Sequence, residues 1–106
     1  MPKFMFNAHL SGEGAAGILA EGGTSRRKEV DRIIGALGGT VEAFYFTFGE
    51  QDSVLIVDLP DTEAATAFAL GVSSSGVVGI STTVLITPEE VDRAITRKVG
   101  FRAPGE

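Results

Sequence analysis

The chain of 106 residues is long enough for one domain with a single core, and 43% of its residues are hydrophobic while 22% are charged. It carries a net charge of -5, one histidine and no cysteine, which excludes disulfides and both thiolate and multi-histidine metal sites. We therefore expect no metal and no cofactor, and the negative charge disfavours nucleic acid and anionic membranes as partners.

The beginning of the chain lacks the charged and long apolar regions that define a signal peptide. No stretch reaches the roughly 18 uninterrupted apolar residues of a membrane-spanning helix. We expect a cytoplasmic protein with one domain over residues 1–106, ending in a tail from about residue 98.

The first element is predicted to be a β-strand over residues 3–10, because its residues alternate in character. One face carries Phe4, Phe6, Ala8 and Leu10, and the other carries Lys3, Met5, Asn7 and His9. Ser11 then caps a predicted short helix over residues 13–20, which is rich in glycine and ends at Gly22 and Gly23. Because of these glycines, we expect residues 12–23 to form a mobile lid at the edge of a pocket.

A stronger helix is predicted over residues 24–37, where an apolar stripe repeats with helical spacing at Val30, Ile33, Ile34 and Leu37. After Gly38 and Gly39, two segments rich in β-branched and aromatic residues follow at 40–48 and 53–59. A turn over residues 49–52 joins them, so the pattern predicts a β-hairpin.

A further helix begins at Pro60 and Asp61, and a fourth strand is predicted over residues 77–86. Thr87, Pro88 and Glu90 form a capping box with a proline in the first turn, which starts a last helix reaching about residue 97. The order predicts an α+β fold of the ferredoxin-like βαββαβ kind, with a four-stranded antiparallel sheet and an added C-terminal helix.

The predicted strands are apolar on both faces. Residues 44, 46 and 48 are phenylalanines that oppose Val41, Ala43 and Tyr45, and Leu55 and Val57 oppose Val54 and Ile56. Both crossover helices cover one face of such a sheet, so the other face needs a partner. We therefore expect a homodimer or a multiple of dimers.

Several segments resemble the GYD-domain family. They are the run 44–52 with residues 54–60, the pair Gly22 and Gly23 followed by Arg26 and Arg27, the segment 37–39, and residues 85–91. The resemblance covers nearly the whole chain. Gln51 stands where the family motif has an aromatic residue, whereas Gly49 and Asp52 match it.

This resemblance implies a ferredoxin-like subunit that dimerises sheet to sheet, as in the dimeric α/β barrel superfamily. Members of that superfamily include cofactor-poor monooxygenases, isomerases and binding proteins. The resemblance therefore implies the fold and leaves the reaction open.

The candidate acid–base pair is His9 with Asp58. We expect the first and third strands to be adjacent, central and parallel, which would place His9 and Asp58 at the same edge of the sheet. Asn7 shares the polar face of the first strand with His9, and burial between subunits could tune the pair for acid–base chemistry. A structural hydrogen-bonded pair, or no pair, is the alternative.

The candidate ligand-binding residues are Asn7, Arg26, Arg27, Tyr45 and Asp52. Arg26 and Arg27, with Lys28, occupy the first turn of the main helix, where the helix dipole disfavours cations. They either bind an anionic group or pair with Glu21, Glu29 or another subunit. Asp52 either serves a site or satisfies amides of the turn, and by the expected strand directions it lies at the opposite edge from His9.

Three functions remain open from the sequence. We expect an oligomeric protein that binds a small molecule in a pocket between sheet faces. One alternative is a cofactor-independent isomerase or monooxygenase that uses His9 as acid or base, and the other is a structural assembly protein. No nucleophile elbow, metal triad or dinucleotide fingerprint is present.

Overall fold

The computed structural model describes residues 1–106 and contains four strands and four helices. The elements, in chain order, are β1 (Lys3–Leu10), α1 (Gly12–Glu21), α2 (Gly23–Ala36), β2 (Thr40–Phe46), β3 (Ser53–Asp58), α3 (Thr62–Ser73), β4 (Val78–Leu85) and α4 (Pro88–Ala94). All eight predicted elements are confirmed, with ends shifted by up to three residues.

The caps follow the predicted side chains. The Ser11 hydroxyl accepts from the amide of Gly14 at the start of α1, and Thr87 and Glu90 form the capping box of α4. The Asp61 carboxylate accepts from the amide of Ala64 at the start of α3. These bonds satisfy amides that a helix cannot pair internally.

The four strands form one antiparallel sheet in the order β2-β3-β1-β4, which confirms the ferredoxin-like fold. The expectation that the first and third strands run parallel is wrong, because β1 and β3 are antiparallel. A helical crossover makes β1 and β2 parallel, and the hairpin then reverses β3 relative to both. As a result, Lys3 and not His9 is paired with Asp58.

The core lies between the sheet and the helices α2 and α3. Its fully buried side chains alternate along β1 and β3, as the strand periodicity predicts, and meet two helical stripes. The cluster comprises Phe4, Phe6, Val30, Ile34, Leu55, Val57, Leu59, Ala65 and Phe68. Phe6 packs against Phe68 with ring centroids 4.8 Å apart. All the helices of this layer lie on one face, so the other face of the sheet is open within the chain.

Candidate functional site

The open face of the sheet presents its side chains in rows. One row crosses all four strands through Tyr45, Val54, Asn7 and Ser81, and the next runs through Ala43, Ile56, Met5 and Thr83. Met5, Val54 and Ile56 are half-buried, while Tyr45 is 67% exposed. The apolar side chains of this face are therefore centred on Met5, Val54 and Ile56, with Asn7 beside them and further polar side chains towards the two ends of the face.

One polar end is formed by His9 and Asp52. The Nδ1 atom of His9 lies 3.3 Å from Oδ2 of Asp52, and the same oxygen accepts a hydrogen bond of 2.7 Å from the amide of Leu10. The amide of Asp52 in turn donates to the carbonyl of Ala8 at 2.9 Å. These contacts fix the carboxylate beside the imidazole and leave Nε2 of His9 free to meet another molecule.

This arrangement corrects two expectations. Asp52 was expected at the opposite edge from His9, but the antiparallel β3 begins next to the end of β1 and brings the two together. The Asp52 carboxylate does not serve amides of its own turn, because it accepts from Leu10 on β1. The ladder of paired residues between β3 and β1 ends at Ser53. Beyond it, the Asp52 carboxylate accepts from the amide of Leu10 in place of a backbone carbonyl.

Asp58 lies at the other polar end and does not pair with His9. Its Oδ1 accepts a hydrogen bond of 2.8 Å from Nζ of Lys3, which also lies 3.2 Å from Glu42. The hydrogen bond to Asp58, and then the one to Glu42, raise the pKa of Lys3 above its ordinary value. This cluster is an ion-pair network, and the His9–Asp58 pair is wrong.

His9 is open to solvent in the single chain. Its side chain is 70% exposed, and it lines neither of the two cavities described below. Asn7 does lie on the same face of β1, as the alternation predicts. An enclosed setting for His9 therefore depends on a second copy covering the open face.

The cations of the main helix divide between two environments. Arg27 pairs with Asp31 at 3.2 Å and lies 6.0 Å from the centroid of the Phe44 ring, so its guanidinium has partners within its own chain. Neither Glu21 nor Glu29 is its partner, and Glu29 pairs with Arg32. Arg26, in contrast, is half-buried and forms no ion pair.

Arg26 faces a cleft of about 690 Å³ on the helix side of the molecule. The walls come from α1, α2, α3 and the start of β4, and ten of the 18 lining residues are hydrophobic. The apolar walls include Leu10, Ile18, Ile33, Leu37, Phe68 and Val72. A volume of this size is ordinary for a small-molecule pocket.

The floor of this cleft leads towards the sheet. A second cavity of about 40 Å³ shares Arg26 and Ile18 with the cleft and reaches Ser53 and Leu55 on β3. Arg26 therefore borders both spaces. Outside the cleft, the pKa of Glu29 is held below its usual range mainly by its hydrogen bond from Arg32, with a smaller contribution from the charge of Arg26.

Arg26 is a candidate from the sequence alone, but the other polar residues of this cleft are not. Glu13 and Glu21 on α1 and Arg32 on α2 also line it. The available signal was the glycine content of α1, because Gly14 and Gly17 form part of the wall. A side chain at Gly14 would place its Cβ 2.5 Å from the carbonyl oxygen of Val77, so the glycine allows the helix to lie close to the backbone just before β4.

No three histidine, aspartate or glutamate side chains lie close enough together to hold a metal ion. None of the helices has both the length and the apolar character needed to cross a membrane.

A comparison with protein families matches residues 4–95 to the GYD domain, in agreement with the resemblance seen in the sequence. No curated protein and no solved structure matches the chain.

Proposed function

We propose that this chain, which belongs to the GYD-domain family, is a homo-oligomeric protein that binds a small organic acid with an apolar body. The observation that carries the proposal is the helix-side cleft, where the half-buried Arg26 lies among mostly apolar walls. An arginine without an ion-pair partner at such a site offers a fork of donors for a carboxylate. The apolar walls would take up the body of the ligand.

The assembly that we propose is a homodimer formed through the open sheet face, or a multiple of it. The apolar centre with Met5, Val54 and Ile56, bordered by polar ends, has the anatomy of an interface core and rim. Packing two such faces would also form the pocket expected between sheets, bordered by Asn7, His9, Tyr45 and Asp52. That second pocket remains a prediction.

The proposed cleft can be probed with sodium octanoate and 1-octanol, which share an alkyl chain and differ in charge. Titration of ¹⁵N-labelled protein followed by NMR should shift the amides of Gly14, Ile18 and Val72, and octanoate should bind more tightly than octanol. Arg26→Gln should remove that difference. Lys28→Gln is the matched control, because Lys28 is an exposed cation on the same helix outside the cleft.

Two results would refute binding in this cleft. One is equal affinity for the acid and the alcohol in the unmodified protein, and the other is a set of shifts confined to the open sheet face. Native mass spectrometry of freshly purified protein adds an independent readout, since a co-purified acid would appear as a mass increment that Arg26→Gln removes. A protein that binds nothing in either experiment would favour the structural alternative.

Acid–base catalysis at His9 is a second candidate function, and the contact of 3.3 Å with Asp52 favours it. A carboxylate on Nδ1 orients an imidazole and fixes its tautomer, so that Nε2 can exchange a proton with a substrate. The proposed homodimer would enclose this nitrogen between sheets.

This second candidate is testable because His9 is the single histidine of the chain. Diethyl pyrocarbonate modification, read by mass spectrometry, should be slower at His9 in the oligomer than in a variant that cannot dimerise, such as Ile56→Lys. Equal rates would leave His9 exposed in the assembled protein and would exclude an enclosed catalytic role.

A further inference from the structure

The chain ends in a segment that the core does not use. This C-terminal arm, residues 87–106, comprises α4 and the irregular stretch after it, and α4 has no substantial contact with any other element. Its large apolar side chains are exposed, with Ile95 at 74%, Val99 at 80% and Phe101 at 76%. Val91 and Ile95, four residues apart, share one side of the helix and its extension.

The arm makes the molecule unusually long. The radius of gyration is 17.0 Å, whereas a compact domain of about 100 residues has one near 13 Å. The longest dimension is 58 Å against 32 and 22 Å for the other two. Exposed apolar side chains on a projecting segment indicate a surface that binds a partner.

Charge distinguishes the end of the arm from the body of the molecule. Residues 93–106 contain four basic residues and one acidic residue, for a net charge of +3, whereas residues 1–86 contain five basic and ten acidic residues, for a net charge of -5. Glu89, Glu90 and Asp92 make the arm as a whole neutral, but its basic end, residues 93–106, is complementary in charge to the body of a second copy. An anionic membrane or nucleic acid would attract this basic end but repel the body to which it is joined.

We propose that the C-terminal arm of one subunit docks on the helix layer of a second copy. Within that layer, α1 and α3 carry acidic residues and no basic ones, and they expose Leu19 and Leu70 at 89% and 67%. The acidic side chains are Glu13 and Glu21 on α1 and Glu63 on α3. This surface offers both the charge and the apolar contacts that the arm lacks within its own subunit.

Zero-length carbodiimide cross-linking tests this docking, because Lys3, Lys28 and Lys98 are the only lysines in the chain. Unlabelled and ¹⁵N-labelled proteins are unfolded in urea, refolded together and cross-linked at low salt. We expect Lys98 to be joined to carboxylates of α1 or α3 in peptides of mixed isotope composition. Raising the salt concentration to about 1 M should reduce their yield at least tenfold, as screening of exposed charges requires.

Two variants separate docking from chance reaction. Lys98→Arg keeps the charge and should remove only the cross-link, whereas Ile95→Asp with Val99→Asp should reduce the mixed Lys98 peptides at least tenfold. Neither alters the core, because these residues lie outside it. The octanoate titration is a separate readout, so failure of the docking and failure of the ligand cleft are distinguishable.

Cross-links from Lys98 found only within peptides of one isotope composition would overturn the proposal, as would a yield unchanged by the two aspartates. Co-sedimentation of the arm-intact protein with phosphatidylserine vesicles, in the absence of mixed cross-links, would also overturn it and identify a lipid surface as the partner.

Discussion

Asp52 is the residue on which the polar end of the open face depends. Its carboxylate serves both the amide of Leu10 and the ring of His9, and it is only 20% exposed. We expect Asp52→Asn to lower the free energy of unfolding by about 1 kcal/mol, because a charge-assisted hydrogen bond between strands is weakened. Glu50 lies in the same hairpin, and its side chain forms no ion pair or hydrogen bond. Glu50→Gln should therefore change the free energy of unfolding by less than about 0.5 kcal/mol.

Urea unfolding followed by circular dichroism measures both variants of this hairpin. If the two substitutions had the same effect on the free energy of unfolding, the contact of Asp52 with β1 would have no energetic consequence. His9→Ala in the Asp52→Asn background should add less than it does alone, since the two side chains touch.

Two glycines of α1 should respond in opposite directions to the same substitution. Gly14→Ala should destabilise the protein by about 1–3 kcal/mol, because the new Cβ would collide with the backbone of Val77. Gly17→Ala meets nothing within 4 Å and should stabilise it by about 0.5–1 kcal/mol through helix propensity. Thermal unfolding measures both, and a stabilised Gly14→Ala variant would show that α1 does not lie against the backbone of Val77.

The Lys3 cluster predicts a pH dependence at the alkaline end. The pKa of Lys3 is raised in the folded protein by its hydrogen bonds to Asp58 and Glu42. The stabilisation is therefore complete below the pKa of lysine in the unfolded chain, about 10.4, and is lost as the pH rises through the higher folded value. The difference in unfolding free energy between the unmodified protein and Lys3→Gln should shrink as the pH rises above about 10.4. A constant difference would contradict this linkage.

The sequence was sufficient to predict every helix and strand, because periodicity and caps are local features. The alternation along β1 correctly separated Phe4 and Phe6 from Asn7 and His9. Strand direction is not local, and the partner of His9 depended on it. The bond between Leu10 and Asp52 spans 42 residues, and no pattern in either segment announces it.

The segment predicted to be a lid is the helix α1, which has no buried residue and only limited contact with α2 and β1. Such a helix is held by few apolar contacts, so we expect it to open locally more often than α2, which buries Val30 and Ile34. Amide hydrogen exchange should be at least tenfold faster over residues 14–21 than over residues 30–36. Equal exchange rates in the two segments would show that α1 opens no more often than α2 and would contradict a mobile lid.

The two faces of the sheet differ in how far they could be predicted from the sequence. The helix-covered face follows from the stripes of α2 and α3, but the cleft on that side arises from how three helices are spaced, which no single stripe encodes. The open face was expected from strands that are apolar on both sides, and its apolar centre around Val54 and Ile56 agrees with that expectation.

Self-association should depend on the apolar centre of this open face. A lysine at Ile56 would place an unpaired charge in the middle of the proposed interface, where desolvation costs several kcal/mol. We expect Ile56→Lys to weaken self-association at least about 100-fold, equivalent to about 2.8 kcal/mol. Thr82→Lys is the matched control, because Thr82 is exposed on the opposite face of the edge strand β4. Sedimentation equilibrium over a range of concentrations measures both.

Association through the two proposed surfaces should differ in its dependence on salt concentration. Ile56→Lys should leave arm docking intact, so a residual association that weakens in about 1 M salt is expected from the basic end of the arm. Association through the apolar sheet face should instead persist at high salt. If the unmodified protein sedimented as an 11.0 kDa monomer at micromolar concentration in low salt, neither surface would be an interface between copies.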